Sequence, residues 1–419
     1  MLATPELIRE TAQLRRLAEL LPRWRQVPLY RDSLAPLSAR EFSAGFHRLP
    51  LLQKRDMRAD FPRNFVPAVE SLENLENHPI ELEHTSGTSE ERLPVIFRRG
   101  WWDVQEQRAL RLNRFIAQVL DEHPQPRRAA ITPPACNGLT CPTAWMSRAQ
   151  RTLGRSLFVN LARIPFVLEK KELARMAGEI GEWSPQFLDV DPVHGAWFAL
   201  YCERRGIKFP SLKFILCSYE FVSVVHRRIL QRVFGVPVFN LYGSTETGHL
   251  LMENERGEMK PSYDTAFLEL VNEDTRGIGD LIVTTLSNDY MPLLRYRIGD
   301  LAERRAHPYG TEFVIHGRAR SALTSASGQR VTTWDVDQCF MGAEGIAHYE
   351  LRQEECGEAI LRFVPEGFGP SGKTLARVRS QLGDLLNPHR EIQAQAMDVL
   401  LPSPSGKFRL TCPITPDSK

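Results

Sequence analysis

The sequence predicts an α/β protein with a large N-terminal domain, residues 1–316, and a small α+β C-terminal domain, residues 317–419. An apolar run, an amphipathic segment and a second apolar run lie between residues 213 and 241, which is the pattern of a parallel βαβ unit. Short β-like runs separated by Gly and Asp turns fill residues 266–315 and predict an antiparallel meander or small barrel. After Gly317-Arg318 a new series of strand and helix patterns begins, which indicates a further domain.

The individual elements follow from the spacing of their apolar residues. Residues 1–80 have the pattern of helices with basic faces that meet at prolines. Val225, Ile229 and Val233 recur at helical spacing and predict a helix over residues 224–234. Pro237 weakens only the start of the strand predicted at 236–241. The other predicted elements are strands at 213–217, 266–271, 281–285, 293–297, 312–315, 359–364 and 396–401, and a helix at 375–386.

Composition and charge favour a globular protein without a nucleic-acid or membrane partner. Of the 419 residues, 42% are hydrophobic and 25% are charged, which is typical of a globular chain. Lys and Arg total 53 against 51 Asp and Glu, so the net charge of +2 gives no reason to expect a polyanionic partner. No apolar stretch approaches the length of a membrane span, and Glu6, Arg9 and Glu10 lie where a signal peptide needs apolar residues. We therefore expect a cytoplasmic protein.

The seven cysteines lack the spacing of a metal site or a disulfide framework. Cys136 and Cys141 are the nearest pair, and a zinc site would need a second close pair of Cys or His. Residues 247–265 contain no Cys and a single His, His249, which we interpret as a pocket or core residue. The expectation is reduced cysteines and no zinc.

Two segments rich in hydroxyl groups and glycine have the composition of nucleotide-binding loops. Thr85, Ser86, Gly87 and Thr88 follow an extended run, and their hydroxyls and backbone N–H groups suit phosphate oxygens. Tyr242-Gly243-Ser244-Thr245-Glu246 follows a predicted parallel strand, at the end where α/β proteins bind ligands. There a tyrosine can stack on a base and a glutamate can bind Mg²⁺. Taken singly, an ordinary loop is the commoner explanation of the first segment, and a strand-to-turn junction explains the second equally well.

Two further residues add a carboxylate and a cation. Asp300 directly follows Gly299 at a predicted strand end, where it can accept hydrogen bonds from two ribose hydroxyls. Lys407 lies on a tight Ser-Gly turn and can bring positive charge to a phosphate transition state. Each of these, taken singly, is more often a simple turn.

In their order and spacing, these segments together with Gly317-Arg318 resemble the core motifs of the adenylate-forming superfamily of acyl-CoA synthetases, adenylation domains and luciferases. The chain is most similar to the phenylacetate–CoA ligase-like branch of that superfamily. The similar segments, which extend the resemblance from about residue 45 to about residue 410, are Leu49–Leu51, Lys54–Arg58, Phe61-Pro62, Asn137–Thr140 and Arg295–Arg297.

The resemblance implies a role for each motif residue. ATP would bind through Thr85, Ser86, Gly87, Thr88, Tyr242, Gly243, Ser244, Asp300 and Arg318. Within this set Tyr242 would stack on adenine, and Asp300 would hold the ribose with the help of Arg318. Thr245 would contact the α-phosphate and Glu246 would bind Mg²⁺. Lys407, carried by a mobile small domain, would neutralise the reacting phosphate and carboxylate.

The resemblance also implies the substrates but leaves alternatives open. The carboxylic acid would bind among Thr140, Trp145, Ser218, Tyr219, Glu220, Phe239 and Asn240, whose aromatic rings suit an aromatic or arylalkanoic acid. The acceptor would be the thiol of coenzyme A, with an acyl carrier protein's phosphopantetheine arm or an amine or hydroxyl as alternatives. Glu90 and Arg320 depart from the family pattern and motivate another alternative, a non-catalytic nucleotide-binding module. The sequence does not decide between a monomer and a homodimer.

Overall fold

The computed structural model describes residues 5–66, 80–85, 92–132, 146–307, 310–354, 358–386 and 391–413. The α-helices are α1 (Pro5–Trp24), α2 (Pro28–Leu34), α3 (Ala39–Gly45), α4 (Lys54–Arg58), α5 (Trp101–Leu110), α6 (Arg114–Glu122), α7 (Lys170–Trp183), α8 (Pro192–Arg205), α9 (Val224–Phe234), α10 (Thr333–Gln338) and α11 (Gly372–Leu386). The strands are β1 (Ile80–His84), β2 (Pro94–Arg98), β3 (Arg128–Ile131), β4 (Thr152–Leu153), β5 (Ser156–Phe158), β6 (Phe187–Val190), β7 (Phe214–Cys217), β8 (Val238–Ser244), β9 (Gly248–Glu253), β10 (Met259–Pro261), β11 (Ala266–Val271), β12 (Ile278–Thr285), β13 (Tyr296–His307), β14 (Gly310–Arg318), β15 (Leu323–Thr324), β16 (Arg330–Val331), β17 (Ile346–Gln353), β18 (Ala359–Pro365), β19 (Gln393–Ala396) and β20 (Thr411–Cys412). This is the mixed α/β architecture that the sequence predicts.

The chain forms two compact units, each made of two stretches of sequence. The first unit comprises residues 1–114 and 241–315, and the second comprises residues 115–240 and 316–419. One of their boundaries therefore lies beside the predicted boundary at residue 316. The division into a domain of residues 1–316 and a domain of residues 317–419 stays a prediction.

The first unit is built on helix α1 and the four-stranded sheet β11-β12-β13-β14. Strands β11, β12 and β13 pair antiparallel in sequence order, as the predicted meander requires. Strand β13 begins at Tyr296 rather than at residue 293, because Arg295 has a φ of 50° and interrupts the extended backbone. Helix α1 buries Leu17, Leu21 and Trp24 in the core of this unit. Within the described ranges, no helix combines enough length with enough apolar character to cross a bilayer.

The second unit contains the predicted parallel βαβ arrangement. Strands β3, β6, β7 and β8 pair parallel in that order, with Phe187 opposite Phe214 and Ile215 opposite Val238. Helix α9 has the predicted bounds, and Ser223 caps its N-terminus by accepting from the backbone N–H of Val225. Strand β8 starts two residues later than predicted, directly after Pro237, and continues to Ser244. The first three residues of the Tyr242 motif are therefore part of a strand.

The C-terminal stretch of the second unit has its own sheet, in the order β19-β18-β17-β20. The predicted strand at 359–364 and helix at 375–386 are confirmed as β18 and α11. The strand predicted at 396–401 is wrong, because β19 ends at Ala396, opposite Phe363 and close to the end of its partner β18. The chain then leaves the sheet, and Leu401 is 68% exposed. The apolar side chains of this stretch share one core cluster with those of residues 115–240.

Candidate functional site

The turn between β8 and β9 depends on a glycine. A Cβ atom on Gly243 would lie 2.2 Å from the carbonyl oxygen of Gly248, so no larger residue fits without a backbone shift. The side-chain oxygens of Ser244 and Thr247 lie 3.0 Å apart and brace the turn. This tight turn leaves Thr245 partly exposed and buries Glu246. The spacing of the Tyr242 motif is therefore a requirement of backbone packing as well as of chemistry.

Tyr242 and Asp300 lie together, although 58 residues separate them in the sequence. The hydroxyl of Tyr242 donates a hydrogen bond of 2.6 Å to Oδ2 of Asp300. The ring is partly buried, and Asp300, on strand β13, is buried. This contact holds an aromatic face and a carboxylate in one orientation. A ring face and a carboxylate held in this way can offer a stacking surface to a base and an acceptor to a ribose hydroxyl.

Glu246 has two partners that the sequence did not single out. The hydroxyl of Tyr296 donates to its Oε1 at 3.2 Å, and Nζ of Lys54 lies 3.4 Å from the same oxygen. Tyr296 is fully buried, and Lys54 belongs to helix α4. Both residues lie in segments that carry the family resemblance, Lys54–Arg58 and Arg295–Arg297. That resemblance was the signal by which the sequence could have identified them as site residues. We call Lys54, Tyr242, Glu246, Tyr296 and Asp300 the carboxylate cluster.

Glu246 of the carboxylate cluster has the chemistry to hold a magnesium ion that arrives with a nucleotide, and Lys54 lies 3.4 Å from the same carboxylate. Mg²⁺ is usually held by one or two carboxylates together with substrate phosphates, and Glu246 offers one such carboxylate at the end of the motif turn. Elsewhere among the described residues, Glu258, His307 and Glu312 place ligand atoms within 4.8 Å of one another. Lys260 lies 2.9 Å from Glu258, and His307 lies 2.9 Å from Glu312, so these groups already neutralise or bond each other.

The predicted phosphate loop is described at its first residue. Thr85 is buried, and its Oγ1 accepts a hydrogen bond of 3.0 Å from the backbone N–H of Leu93. Its own N–H donates to the carbonyl of Leu93 at 3.0 Å, so Thr85 closes the base of the loop. The other loop residues and two residues of the predicted acid pocket, Ser86, Gly87, Thr88, Thr140 and Trp145, lie outside the described residues. So does Glu90.

Lys407 lies in a tight turn, residues Pro402–Phe408, which we call the lysine turn. The backbone N–H groups of Ser403 and Gly406 donate to the carbonyls of Lys407 and Ser403, each at 2.8 Å. Gly406 has a φ of 86°, which a glycine adopts without strain. Nζ of Lys407 donates to the carbonyl oxygen of Tyr219 at 2.8 Å.

Glu220 also contacts the lysine turn. Its Oε1 accepts a hydrogen bond of 2.9 Å from the backbone N–H of Phe408. Burial raises the pKa of Glu220 well above its usual value, the charge of Asp191 raises it further, and Lys407 lowers it. Tyr219 and Glu220, which the sequence placed in an acid pocket, thus lie against the turn that carries Lys407.

The other described residues of the predicted pocket differ in their surroundings. Ser218 donates to Oδ1 of Asp189 at 2.8 Å, at the end of strand β7. Asn240 is partly buried on β8. Phe239 is buried, and its ring lies 6.0 Å from Phe115 and 6.5 Å from Phe214. Phe239 therefore packs within an aromatic group.

Arg318 lies in the second unit, at the end of strand β14. Gly317 before it has a φ of 90°, and a Cβ there would lie 2.8 Å from the side chain of Thr333. Residues Ala319–Ser321 form a single 3-10 turn in which Arg320 is exposed. The predicted domain boundary after residue 316 is thus followed by a short turn.

A group of buried histidines, which the sequence did not reveal, surrounds Phe408. We call Asp191, His194, His226 and His348 the histidine cluster. Asp191 caps helix α8 and bonds Nδ1 of His194 at 2.9 Å, and Nε2 of His226 lies 3.1 Å from Nδ1 of His348. The ring of Phe408 lies 5.1 Å from that of His348. Burial lowers the pKa of His226 to about 4 and that of His348 well below its usual value.

Comparison with solved structures identifies the fold. A 2-hydroxyisobutyryl-CoA ligase in the postadenylation state, in complex with an acyl-AMP, has a TM-score of 0.70 at 17% identity, over 99% of this chain and 91% of that chain. An anthranilate CoA ligase in complex with anthranoyl-AMP has a TM-score of 0.56 at 12% identity, over 78% of this chain and 65% of that chain.

Comparison with curated sequences finds a partial match. Protein CapK of Staphylococcus aureus is 34% identical over 203 residues, which is 46% of this chain. The match spans 45% of CapK, less than half of its length. No protein-family model matches the chain.

Proposed function

We propose that this protein, which has the fold of the adenylate-forming acyl-CoA ligases, joins a carboxylic acid to AMP and transfers the acyl group to a thiol. The observation that carries the proposal is the carboxylate cluster. In it the predicted adenine-stacking ring of Tyr242 and the predicted ribose-binding carboxylate of Asp300 share a hydrogen bond of 2.6 Å. The order of the motifs predicts that Tyr242 and Asp300 belong to one nucleotide site, and the two side chains are in contact.

In the first half-reaction a carboxylate oxygen attacks the α-phosphorus of ATP, and the bond to pyrophosphate breaks. The new phosphorus–oxygen bond gives a mixed anhydride, the acyl adenylate. A carboxylate is a weak nucleophile that the negatively charged triphosphate repels, so cationic groups are required to stabilise the transition state. Lys407 supplies one of them in this proposal, and Mg²⁺ bound with Glu246 would supply another.

In the second half-reaction a thiolate attacks the carbonyl carbon of the acyl adenylate, and AMP leaves with the bonding electrons. Coenzyme A is the proposed acceptor because the two solved proteins described above, which have this fold, are CoA ligases. A phosphopantetheine arm would offer the same thiol, and an amine or hydroxyl would give an amide or ester instead. The change between half-reactions is assigned to a hinge at Gly317–Ser321, where Gly317 has a positive φ and Arg320 is exposed.

The remaining roles complete the proposed site. Thr85, Ser86, Gly87 and Thr88 would bind the phosphates, with Thr245 at the α-phosphate and Arg318 beside the ribose. Ser218, Tyr219, Phe239 and Asn240 would line the acid pocket with Thr140 and Trp145. Their aromatic rings favour an aromatic or arylalkanoic acid, as in the phenylacetate–CoA ligase-like branch.

Pyrophosphate release tests the proposal. The full-length protein would be incubated with ATP, Mg²⁺ and one acid at a time from a panel of aromatic, arylalkanoic, hydroxy and fatty acids. Release that depends on a particular acid supports adenylation, and CoA, a carrier protein with its phosphopantetheine arm, and a primary amine then compete as acceptors. Binding of ATP without release for any acid would favour the non-catalytic module and overturn the proposal.

A further inference from the structure

We propose that Glu220 is a positioning residue that holds the lysine turn for adenylation, acting through the backbone N–H of Phe408 rather than through the acid substrate. The inference rests on the proposed function of Lys407. It replaces the expectation that Glu220 lines the acid pocket. Its basis is the 2.9 Å hydrogen bond from the N–H of Phe408 to Oε1 of Glu220.

The segment that carries Glu220 is itself held in an unusual conformation. Tyr219 has a φ of 75°, in the left-handed region that a bulky residue rarely adopts. The N–H of Glu220 donates to the carbonyl of Ser218 at 2.9 Å, which forms a sharp turn directly after strand β7. Such a strained conformation persists where surrounding contacts determine it. This turn brings the carbonyl of Tyr219 to Nζ of Lys407 and the carboxylate of Glu220 to the next residue along.

The lysine turn is held on both sides of Lys407. On its N-terminal side, Nη2 of Arg163 donates to the carbonyl of Pro404 at 3.0 Å. On its C-terminal side, the ring of Phe408 is buried and lies edge-on to Phe166 and His348, with centroids 5.6 and 5.1 Å away. The hydrogen bond of Glu220 joins the backbone at the residue that follows Lys407. It therefore determines where the lysine side chain begins.

The chemistry of the contact also distinguishes a positioning role for Glu220 from a role in binding the acid. A backbone N–H needs an acceptor when it is turned away from water, and leaving it without one is destabilising. An amide oxygen can replace the carboxylate oxygen in this role, whereas alanine cannot. An error of about 1 Å in the position of a reacting group can cost about a hundredfold in rate. The loss of this acceptor should thus reduce turnover without weakening substrate binding.

The first test compares Glu220→Ala and Glu220→Gln in the pyrophosphate-release assay. We expect Glu220→Ala to lower kcat about tenfold or more, with KM for the acid and for ATP within about twofold of the original values. Glu220→Gln should retain kcat within about threefold, because its side-chain oxygen still accepts the hydrogen bond. Glu169→Ala, at an exposed glutamate that precedes helix α7, is the control and should change neither parameter. A higher KM for the acid with kcat unchanged in Glu220→Ala, or equal damage by Gln and Ala, would overturn the inference.

A second test asks whether Glu220 acts through Lys407. In a Lys407→Ala background, Glu220→Ala should cause no additional loss of activity, because the group that it positions is gone. A further loss as large as that seen with Lys407 present would mean an independent role and would also overturn the inference.

A third measurement does not depend on activity. Hydrogen exchange at the amide of Phe408 should accelerate in Glu220→Ala and stay slow in Glu220→Gln. If the original protein releases no pyrophosphate with any acid, the proposed function fails, while exchange at this amide still decides whether Glu220 holds the turn. Unchanged exchange in Glu220→Ala would reject that contact. Unfolding temperatures of all variants would show whether a loss reflects the turn or the whole fold.

Discussion

The carboxylate cluster and the lysine turn bring their functional groups into position in different ways. In the carboxylate cluster, Asp300 and Glu246 accept hydrogen bonds from two tyrosine hydroxyls, that of Tyr242 on strand β8 and that of Tyr296 on strand β13. In the lysine turn, Lys407 lies in a loop of the second unit, and a carboxylate holds it through backbone atoms. Strands carry both tyrosines and Asp300 of the first group, whereas loop contacts position the second group. A group that depends on loop contacts is easier to displace, which suits a residue that serves only one of two half-reactions.

The largest expected effect comes from removing the amine of the lysine turn. Lys407→Ala should reduce pyrophosphate release about a hundredfold or more, since a charge aimed at a transition state is worth several kcal/mol. Thermal unfolding should change little, because Lys407 is only partly buried. Lys373→Ala, at an exposed lysine on helix α11, is the control and should retain activity. Unchanged release in Lys407→Ala would remove the lysine turn from the mechanism.

The next effect tests how tightly the turn between β8 and β9, which carries Glu246 of the carboxylate cluster, is packed. Gly243→Ala should destabilise the protein by about 3 kcal/mol, because the new Cβ would lie 2.2 Å from a backbone oxygen that cannot move freely. Gly178→Ala, at an open position in helix α7, is the matched control and should stabilise by about 0.5–1 kcal/mol. Urea unfolding measures both. Equal effects of the two substitutions would show that the motif turn is less tightly packed than the structure indicates.

A third prediction concerns pH and the histidine cluster behind the lysine turn. The pKa of His226 falls to about 4 on burial, and that of His348 is also depressed, so between about pH 6.5 and 4 the unfolded chain binds protons that the folded chain does not. Folding stability should therefore decline as pH falls through this window, by about 1.4 kcal/mol per pH unit for each histidine. The charge of Asp191 raises the pKa of His226 and partly offsets the effect of burial, whereas the charge of Arg228 lowers this pKa further.

The variant His226→Gln with His348→Gln should flatten this pH dependence, measured by urea unfolding at pH 7 and pH 5. His123→Gln, after helix α6, is the control and should leave the slope unchanged. A slope as steep in the double variant as in the original protein would contradict the assignment.

The smallest expected effect sharpens the comparison within the carboxylate cluster. Tyr242→Phe keeps the ring but removes the hydrogen bond to Asp300, which is worth about 1–2 kcal/mol for a charged acceptor. KM for ATP should rise about fivefold to tenfold, with kcat changed less. Tyr201→Phe, on helix α8, serves as the control. A fall in kcat at constant KM would mean that the Tyr242 hydroxyl acts on the transition state rather than on nucleotide binding.

Local sequence patterns were sufficient to predict several helices and strands and to identify the types of residue in the motifs. Helix α9 follows from apolar periodicity, and strands β7, β11 and β18 follow from short β-like runs. The error at β19 has the same origin, because apolar residues continue past Ala396, the last residue that pairs with strand β18. The length of a strand depends on its pairing with a neighbour, and a single sequence segment carries no record of its neighbour.

Tertiary packing alone determined which residues that are distant in the sequence are in contact. Glu220 meets Phe408 across 188 residues, and His226 meets His348 across 122 residues. Neither pair has a sequence spacing that distinguishes it from unrelated residues, because such contacts depend on how sheets and loops fold back on one another. Amino-acid order alone thus named Tyr242, Asp300 and Lys407 and suggested their chemistry. Folding in three dimensions decided that Tyr242 bonds Asp300 and that Glu220 holds the turn of Lys407, since hydrogen bonds act through space over about 3 Å.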